Sequence, residues 1–295
     1  MSLLYHYTNI NGLLGILRPQ SRDIKLWFTD VRYQNDISEG KELTRIYKKV
    51  CKTMKARGEI SEEDYKEIVS IKFNNKRPIA YTPHDVTRLY YGETDVYICC
   101  FCRNSDSLNM WRYYTKDNTG CALGFMEGKL ERNTRREQFE PNDNALGKLE
   151  FWSVIYDETE KEGFIYSEIL NILKKIAASQ VPKAGNLKRA IEYGLGKYKF
   201  RFKHECFSSE EEVRGIYYVP HNDEKLPEEK KNVIRYRSQY GIIVPYIEIS
   251  FPREAMKEVR IAPNASEDAV ASIKNYLKAN EPGTHVKQSE LPIRF

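Results

Sequence analysis

The 295-residue chain predicts a mixed α+β fold with a mainly antiparallel sheet and helical insertions. Three observations carry that expectation. Segments with strand periodicity recur from residue 3 to the C-terminus, helical periodicity falls between them in uneven doses, and strands outnumber the short connections that a regular βαβ alternation requires. No internal repeat or linker-like stretch is visible, so residues 1–295 read as a single domain, long enough for a substantial core.

The elements follow in order. Residues 3–7 of "LLYHYTN" read as a strand, with Thr8 as N-cap of a short helix whose Ile10, Leu13, Leu14 and Leu17 keep i, i+3, i+4, i+7 spacing until Arg18-Pro19 ends it. "IKLWFTDV" is a second strand, and the polar "RYQNDISEG" leads into a long helix with Leu43, Ile46, Tyr47, Val50, Cys51 and Met54 on one stripe. "SEEDYKEIVSIKF" opens with a capping box of Ser61 and Asp64. "DVYICCFC" is apolar enough for a central strand; "SLNMWRYY" is a short helix capped by Ser105 or Ser107; "GCALGF" and "LEFWSVIYD" are strands. Helices are expected over about 162–178 and 186–204, the second carrying Leu187, Ile191, Leu195, Tyr198 and Phe202. "EEEVRGIYYVP" alternates as a strand, and the charged segment at about 221–232 reads as an exposed hairpin loop. "YGIIVPYIEISF" and "KEVRIAP" are strands, "SEDAVASIKNYLKAN" is an amphipathic helix, and "HVKQSELPIRF" closes the chain.

Composition narrows the function classes. With 41% hydrophobic and 30% charged residues the chain is of the globular type, and no apolar run approaches the roughly 18–20 residues of a membrane span. No basic n-region precedes an apolar h-region, so the expected compartment is the cytoplasm, with no membrane partner. The six cysteines lack zinc-ribbon spacing, since "CCFC" alternates along a strand; free thiols and no metal are expected. A net charge of +5 permits an anionic ligand or a nucleic acid without demanding either. The Gly-x-Gly-x-x-Gly turn, the phosphate loop, the Gly-x-Ser-x-Gly elbow and the His-x-x-x-His pair are all missing, which argues against Rossmann dehydrogenases, Walker NTPases and zincins.

Polar residues remain where strands or their ends would meet a cleft. His6 shares a pleat face with Leu4 and Thr8, while Tyr5 and Tyr7 face the other way. Taken alone, His6 is better explained as a core histidine bonded to backbone. "YQND" with Glu39 fits a turn and helix cap, "MWRYY" fits either ring stacking or core packing, and Glu210, Glu212 and Arg214 fall on one face at a strand start.

Together these segments resemble a bacterial domain-of-unknown-function family, family 2971. The landmarks are "LYHYT" (Leu4 to Thr8), Tyr33, Asn35, Asp36 and Glu39 of a "YxND…E" turn, "MWRYY…GxALGF" at 110–125, "FKHECFSSEEEVR" at 202–214 and "SELPIR" from Ser289 to Arg294. The opening His-x-Thr strand and helix is also distantly similar to ADP-ribosyltransferases of the DNA-modifying toxin type. That resemblance implies an ADP-ribosyltransferase-like fold and an enzyme using NAD as substrate, by ADP-ribosyl transfer or NAD glycohydrolysis, as a toxin or antiphage effector. It implies that His6 hydrogen-bonds the NAD ribose or amide, that Trp111, Tyr113 or Tyr114 stacks on nicotinamide, and that Glu210 or Glu212 supports catalysis. Thr8, Tyr33 and Asn35 would complete the cofactor site, with Arg112 or Arg214 on the pyrophosphate. The acceptor would be DNA, RNA, protein or water, and oligomeric state is left open. This reading requires His6 and Glu212 to converge on one pocket. Two alternatives stand beside it: a nucleic-acid-binding or nucleic-acid-processing protein, favoured by "KKVCKTMKARG" and "NLKRAIEYGLGKYKFRFKH", and a non-catalytic sensor or scaffold of the same fold.

Overall fold

A computed structural model describes residues 2–34, 40–73, 76–81, 88–115, 120–136, 148–178, 186–220, 234–239, 241–281 and 283–292. Strands β1 (Leu3–Asn9), β2 (Asp23–Asp30), β4 (Arg88–Cys102), β5 (Gly120–Met126), β8 (Arg235–Gln239), β9 (Ile242–Pro252), β10 (Met256–Ile261) and β11 (His285–Gln288) form an open sheet in the order β11-β10-β5-β1-β4-β2-β9-β8. β3 (Lys76–Tyr81) and β7 (Glu212–Pro220) also pair with β4, and β6 (Lys148–Ser153) pairs with β7. Among these strand pairs only β10 with β11 is parallel. The fold is therefore α+β with a mixed, mostly antiparallel sheet, as the strand-rich pattern predicts.

β4 organises the sheet. β7 lines one of its edges from Thr94 to Cys102. The other edge is divided: β1 meets it at Cys102, opposite Tyr5, and β2 at Tyr97 and Ile98, opposite Asp30 and Thr29. Between those contacts the edge of β4 at residues 99–101 lies open, and β1 and β2 diverge around it.

One face of the sheet carries the main core, in which Leu4, Phe28, Cys99, Phe101, Leu123 and Val213 pack with Leu13, Leu130 and Leu277. Those last three come from α1 (Ile10–Ile16), α5 (Glu127–Arg136) and α8 (Glu267–Asn280). Helices α2 (Glu42–Ala56), α3 (Glu62–Ile68), α6 (Glu158–Ala178) and α7 (Asn186–Gly196) enclose a second core of Ile46, Tyr47, Ile68, Ile165, Ile191 and their neighbours. The stripe expected on α2 is buried as drawn, and the Ser61 side chain accepts from the Asp64 amide at 3.0 Å.

Several local expectations need correction. Asn9, the last residue of β1, caps α1 in place of Thr8, its side chain accepting from the Gly12 amide at 2.9 Å. Ser107 stands at the N-cap of α4 (Leu108–Tyr114) without a side-chain capping bond; its amide instead donates to the Tyr7 hydroxyl at 3.0 Å. The helix expected to reach 204 ends at Gly196, and a 3-10 turn over Lys199–Arg201 follows. The sequence pattern does not signal β3, β8, β11 or α5; "EGKLERNTRR" offers Leu130 as its one large apolar residue and so shows no stripe. The charged 221–232 segment lies outside the described residues.

Candidate functional site

The gap between β1 and β2 opens into a cleft of about 660 Å³, within the usual range for small-molecule sites. His6 and Thr8 of β1, Trp27 and Thr29 of β2, Cys99 and Cys100 of β4, Tyr113 and Tyr114 of α4, and Arg237 of β8 all reach it, as do Tyr33 and Gln34. The cleft exists because β4 is shared: neither β1 nor β2 continues far enough to cover the edge at Cys99 and Cys100.

His6 fills part of that opening. Its Nδ1 lies 2.9 Å from the Cys100 carbonyl, which only accepts, so Nδ1 carries the proton and Nε2 is the acceptor nitrogen of the neutral ring. Burial lowers its pKa, and the nearby Arg237 cation adds to that, outweighing the Cys100 carbonyl. The neutral form therefore prevails at pH 7.

Arg237 is the cation of the cleft. Its Nη2 donates to Thr29 Oγ1 at 2.8 Å and to Gln239 Oε1 at 3.0 Å. The guanidinium lies over the rings of Trp27 and Tyr246 at 5.2 and 5.4 Å. Its Nε is buried without a partner, and none of the described residues lining the cleft is an Asp or Glu. Burial lowers the Arg237 pKa. Sequence reasoning missed this residue; the only trace was the alternation of Arg235, Tyr236 and Arg237 before a turn where Gly241 takes φ +78°.

The glutamates occupy a different place. Tyr5 pairs with Cys102, which pairs with Glu212 across β4, so Tyr5 and Glu212 share a pleat face and His6 takes the opposite one. His6 lines the cleft and Glu212 is not among the described residues that do, so the expected convergence of the two on one pocket is not seen. Glu212, only 3% exposed, receives Arg214 Nε at 2.9 Å and Nη2 at 3.0 Å, and Lys203 at 3.2 Å. Lys203 also binds Glu210 at 2.5 Å. Burial alone would raise the Glu212 pKa, but Arg214 and Lys203 together hold it down to about 2. Burial pushes the Glu210 carboxyl up against the pull of Lys203. The backbone of Glu211, at φ 42°, is left-handed and strained, and with Glu211 exposed it resolves the run of three: Glu210 and Glu212 turn inward to one lysine.

This buried tetrad abuts the cleft without joining it. Cys100 and Tyr114 line the cleft, and both feel the charges of the tetrad. Of the residues expected at the cofactor, Thr8, Tyr33 and Tyr113 reach the cleft, Tyr113 being 59% exposed. Arg214 does not, being locked to Glu212 and to the Phe200 carbonyl at 2.9 Å. Trp111 is fully buried in the core, edge-on to Tyr7, with its indole N–H on Asp106 at 2.7 Å, so it has no free face for nicotinamide. Arg112 is exposed outside the cleft lining, and Asn35 lies outside the described residues.

Asp106 ties two of the landmark segments together. It accepts from Trp111 and from Ser289 Oγ at 2.5 Å, and pairs with Arg260 at 3.1 Å.

Residues 110–215 match the model of a protein family of unknown function, DUF2971. The match runs from Met110 in the cleft wall to Gly215, just past Arg214 of the tetrad, and leaves His6 and Arg237 outside it. No curated protein and no solved structure matches the chain.

The six cysteines are free thiols, and among the described residues no three His, Cys, Asp or Glu side chains gather as metal ligands would. No described helix is long and apolar enough to cross a membrane. On the lysine-rich α2, Lys49 pairs with Glu158 at 3.1 Å and with Glu162, and Lys55 pairs with Glu62 at 2.8 Å. Those charges are partly answered within the protein, which weakens their claim on a nucleic acid.

Proposed function

We propose that the chain is an NAD-utilising enzyme that breaks the bond between nicotinamide and ribose, passing ADP-ribose to an acceptor or to water. The observation that carries this reading is His6, fixed as an Nδ1–H tautomer in a nucleotide-sized cleft beside Tyr33 and Tyr113. Nε2 is then the acceptor for a ribose hydroxyl, and the exposed Tyr113 ring supplies a flat apolar surface for nicotinamide. Departure of nicotinamide leaves positive charge on the ribose, so its hydroxyls must be held while the bond lengthens. The convergence of His6 and Glu212 that the resemblance required is not met, so this reading rests on the His6 cleft alone and gives Glu210 and Glu212 no contact with the ribose.

The test is nicotinamide release from NAD, followed by chromatography, for the wild type, His6→Ala and Tyr113→Ala. Release by the wild type, abolished in His6→Ala and weakened in Tyr113→Ala, is the expected result. A wild type that releases none, alone or with DNA, RNA or cell lysate, refutes the reading.

A further inference from the structure

We infer that Arg237 is the anion seat of the cleft and that the group it holds is the diphosphate of a nucleotide ligand. The inference rests on the proposed NAD site and assigns one part of its ligand to one residue. Arg237 is half-buried in the cleft wall, its Nε is buried without a partner, and no acidic residue among the described ones pairs with it, so part of a cation is desolvated without compensation. Thr29 and Gln239 both engage Nη2, and the two aromatic rings fix the plane of the fork. Nη1 makes no hydrogen bond to a described residue, so the fork keeps a donor for a ligand.

A diphosphate suits this seat better than a single carboxylate does. Its oxygens take charge-assisted bonds from a guanidinium fork, and it carries groups on either side, for which the cleft of about 660 Å³ lined by Tyr33, Tyr113 and Trp27 has room. Neither cation that the resemblance implied at the pyrophosphate, Arg112 or Arg214, lines the cleft. Arg214 is consumed by Glu212, whereas Arg237 has charge to offer.

The experiment is calorimetric titration of the whole protein with ADP-ribose, inorganic pyrophosphate and adenosine, repeated for Arg237→Gln and Arg237→Lys with thermal melts as a folding control. ADP-ribose is expected to bind the wild type and to lose about tenfold or more in Arg237→Gln, with a smaller loss in Arg237→Lys, while adenosine binding does not change. Pyrophosphate is expected to compete with ADP-ribose in the wild type only. Equal ADP-ribose affinity in folded Arg237→Gln, or no ADP-ribose binding to the wild type, overturns the inference. Displacement of ADP-ribose by a short oligonucleotide that binds more tightly through Arg237 overturns the assignment to a small nucleotide. ADP-ribose binding that needs Arg237, in a protein that releases no nicotinamide, upholds the seat and refutes the enzymatic reading. Nicotinamide release with an unchanged KM in Arg237→Gln does the reverse.

Discussion

Replacing Arg214 by Met tests the tetrad directly. Arg214 and Glu212 are 2% and 3% exposed and share two parallel hydrogen bonds of 2.9 and 3.0 Å. Arg214→Met removes both, takes the 2.9 Å donor from the Phe200 carbonyl, and leaves Glu212 with Lys203 alone at 3.2 Å. Breaking a buried pair on one side costs about 3–5 kcal/mol. The measurement is urea unfolding at pH 7 of the wild type, Arg214→Met, Glu212→Leu and the double variant. The double variant should cost less than the sum of the singles by at least ~1 kcal/mol, since neither charge is then stranded. A cost below about 1 kcal/mol for Arg214→Met, or strict additivity, would refute the reasoning.

Three further predictions follow from the same geometry. Because its folded pKa is depressed, Glu212 contributes stability that is present above pH 4.5 and lost as pH falls toward about 2; Glu210, pushed up, works with the opposite sign, and stability declines as pH rises past 4.5 through its folded value. Glu212→Gln should therefore flatten the acid limb of thermal stability between pH 4.5 and 2, and an unchanged limb would show that the pair does not set it. Asp106→Ala should cost about 2 kcal/mol in urea unfolding and speed exchange of the Trp111 indole proton, and unchanged exchange would mean that the 2.7 Å bond is not holding the ring. A Cβ on Gly12 would sit 1.9 Å from Thr8 Oγ1, so Gly12→Ala should cost about 1–3 kcal/mol and Thr8→Ala in the same chain should recover most of it; no recovery would place the clash elsewhere.

Much of the local structure is legible along the chain. The stripe of Leu43, Ile46, Tyr47, Val50, Cys51 and Met54 required α2, Ser61 with Asp64 required the start of α3, and the apolar run ending in "CCFC" required a central strand, because each depends on residues within a few positions of one another. α5 and β8 escaped because their apolar content is too low to show a period; Leu130 and the contacts of Arg237 acquire meaning only against distant strands.

His6 was singled out from the sequence and does line the cleft, whereas its partners were only half anticipated. Thr8, Tyr33 and Tyr113 join it there; Trp111 and Arg214 are consumed by Asp106 and Glu212. The sequence by itself determined the α+β class, most elements and the residue types that chemistry would need. Tertiary structure alone decided that β1 and β2 share one edge of β4, and that sharing opens the cleft. Because side chains alternate along a strand, the register of Tyr5 on Cys102 and of Cys102 on Glu212 sent His6 and Glu212 to opposite faces, an outcome set by pairings between residues about a hundred positions apart.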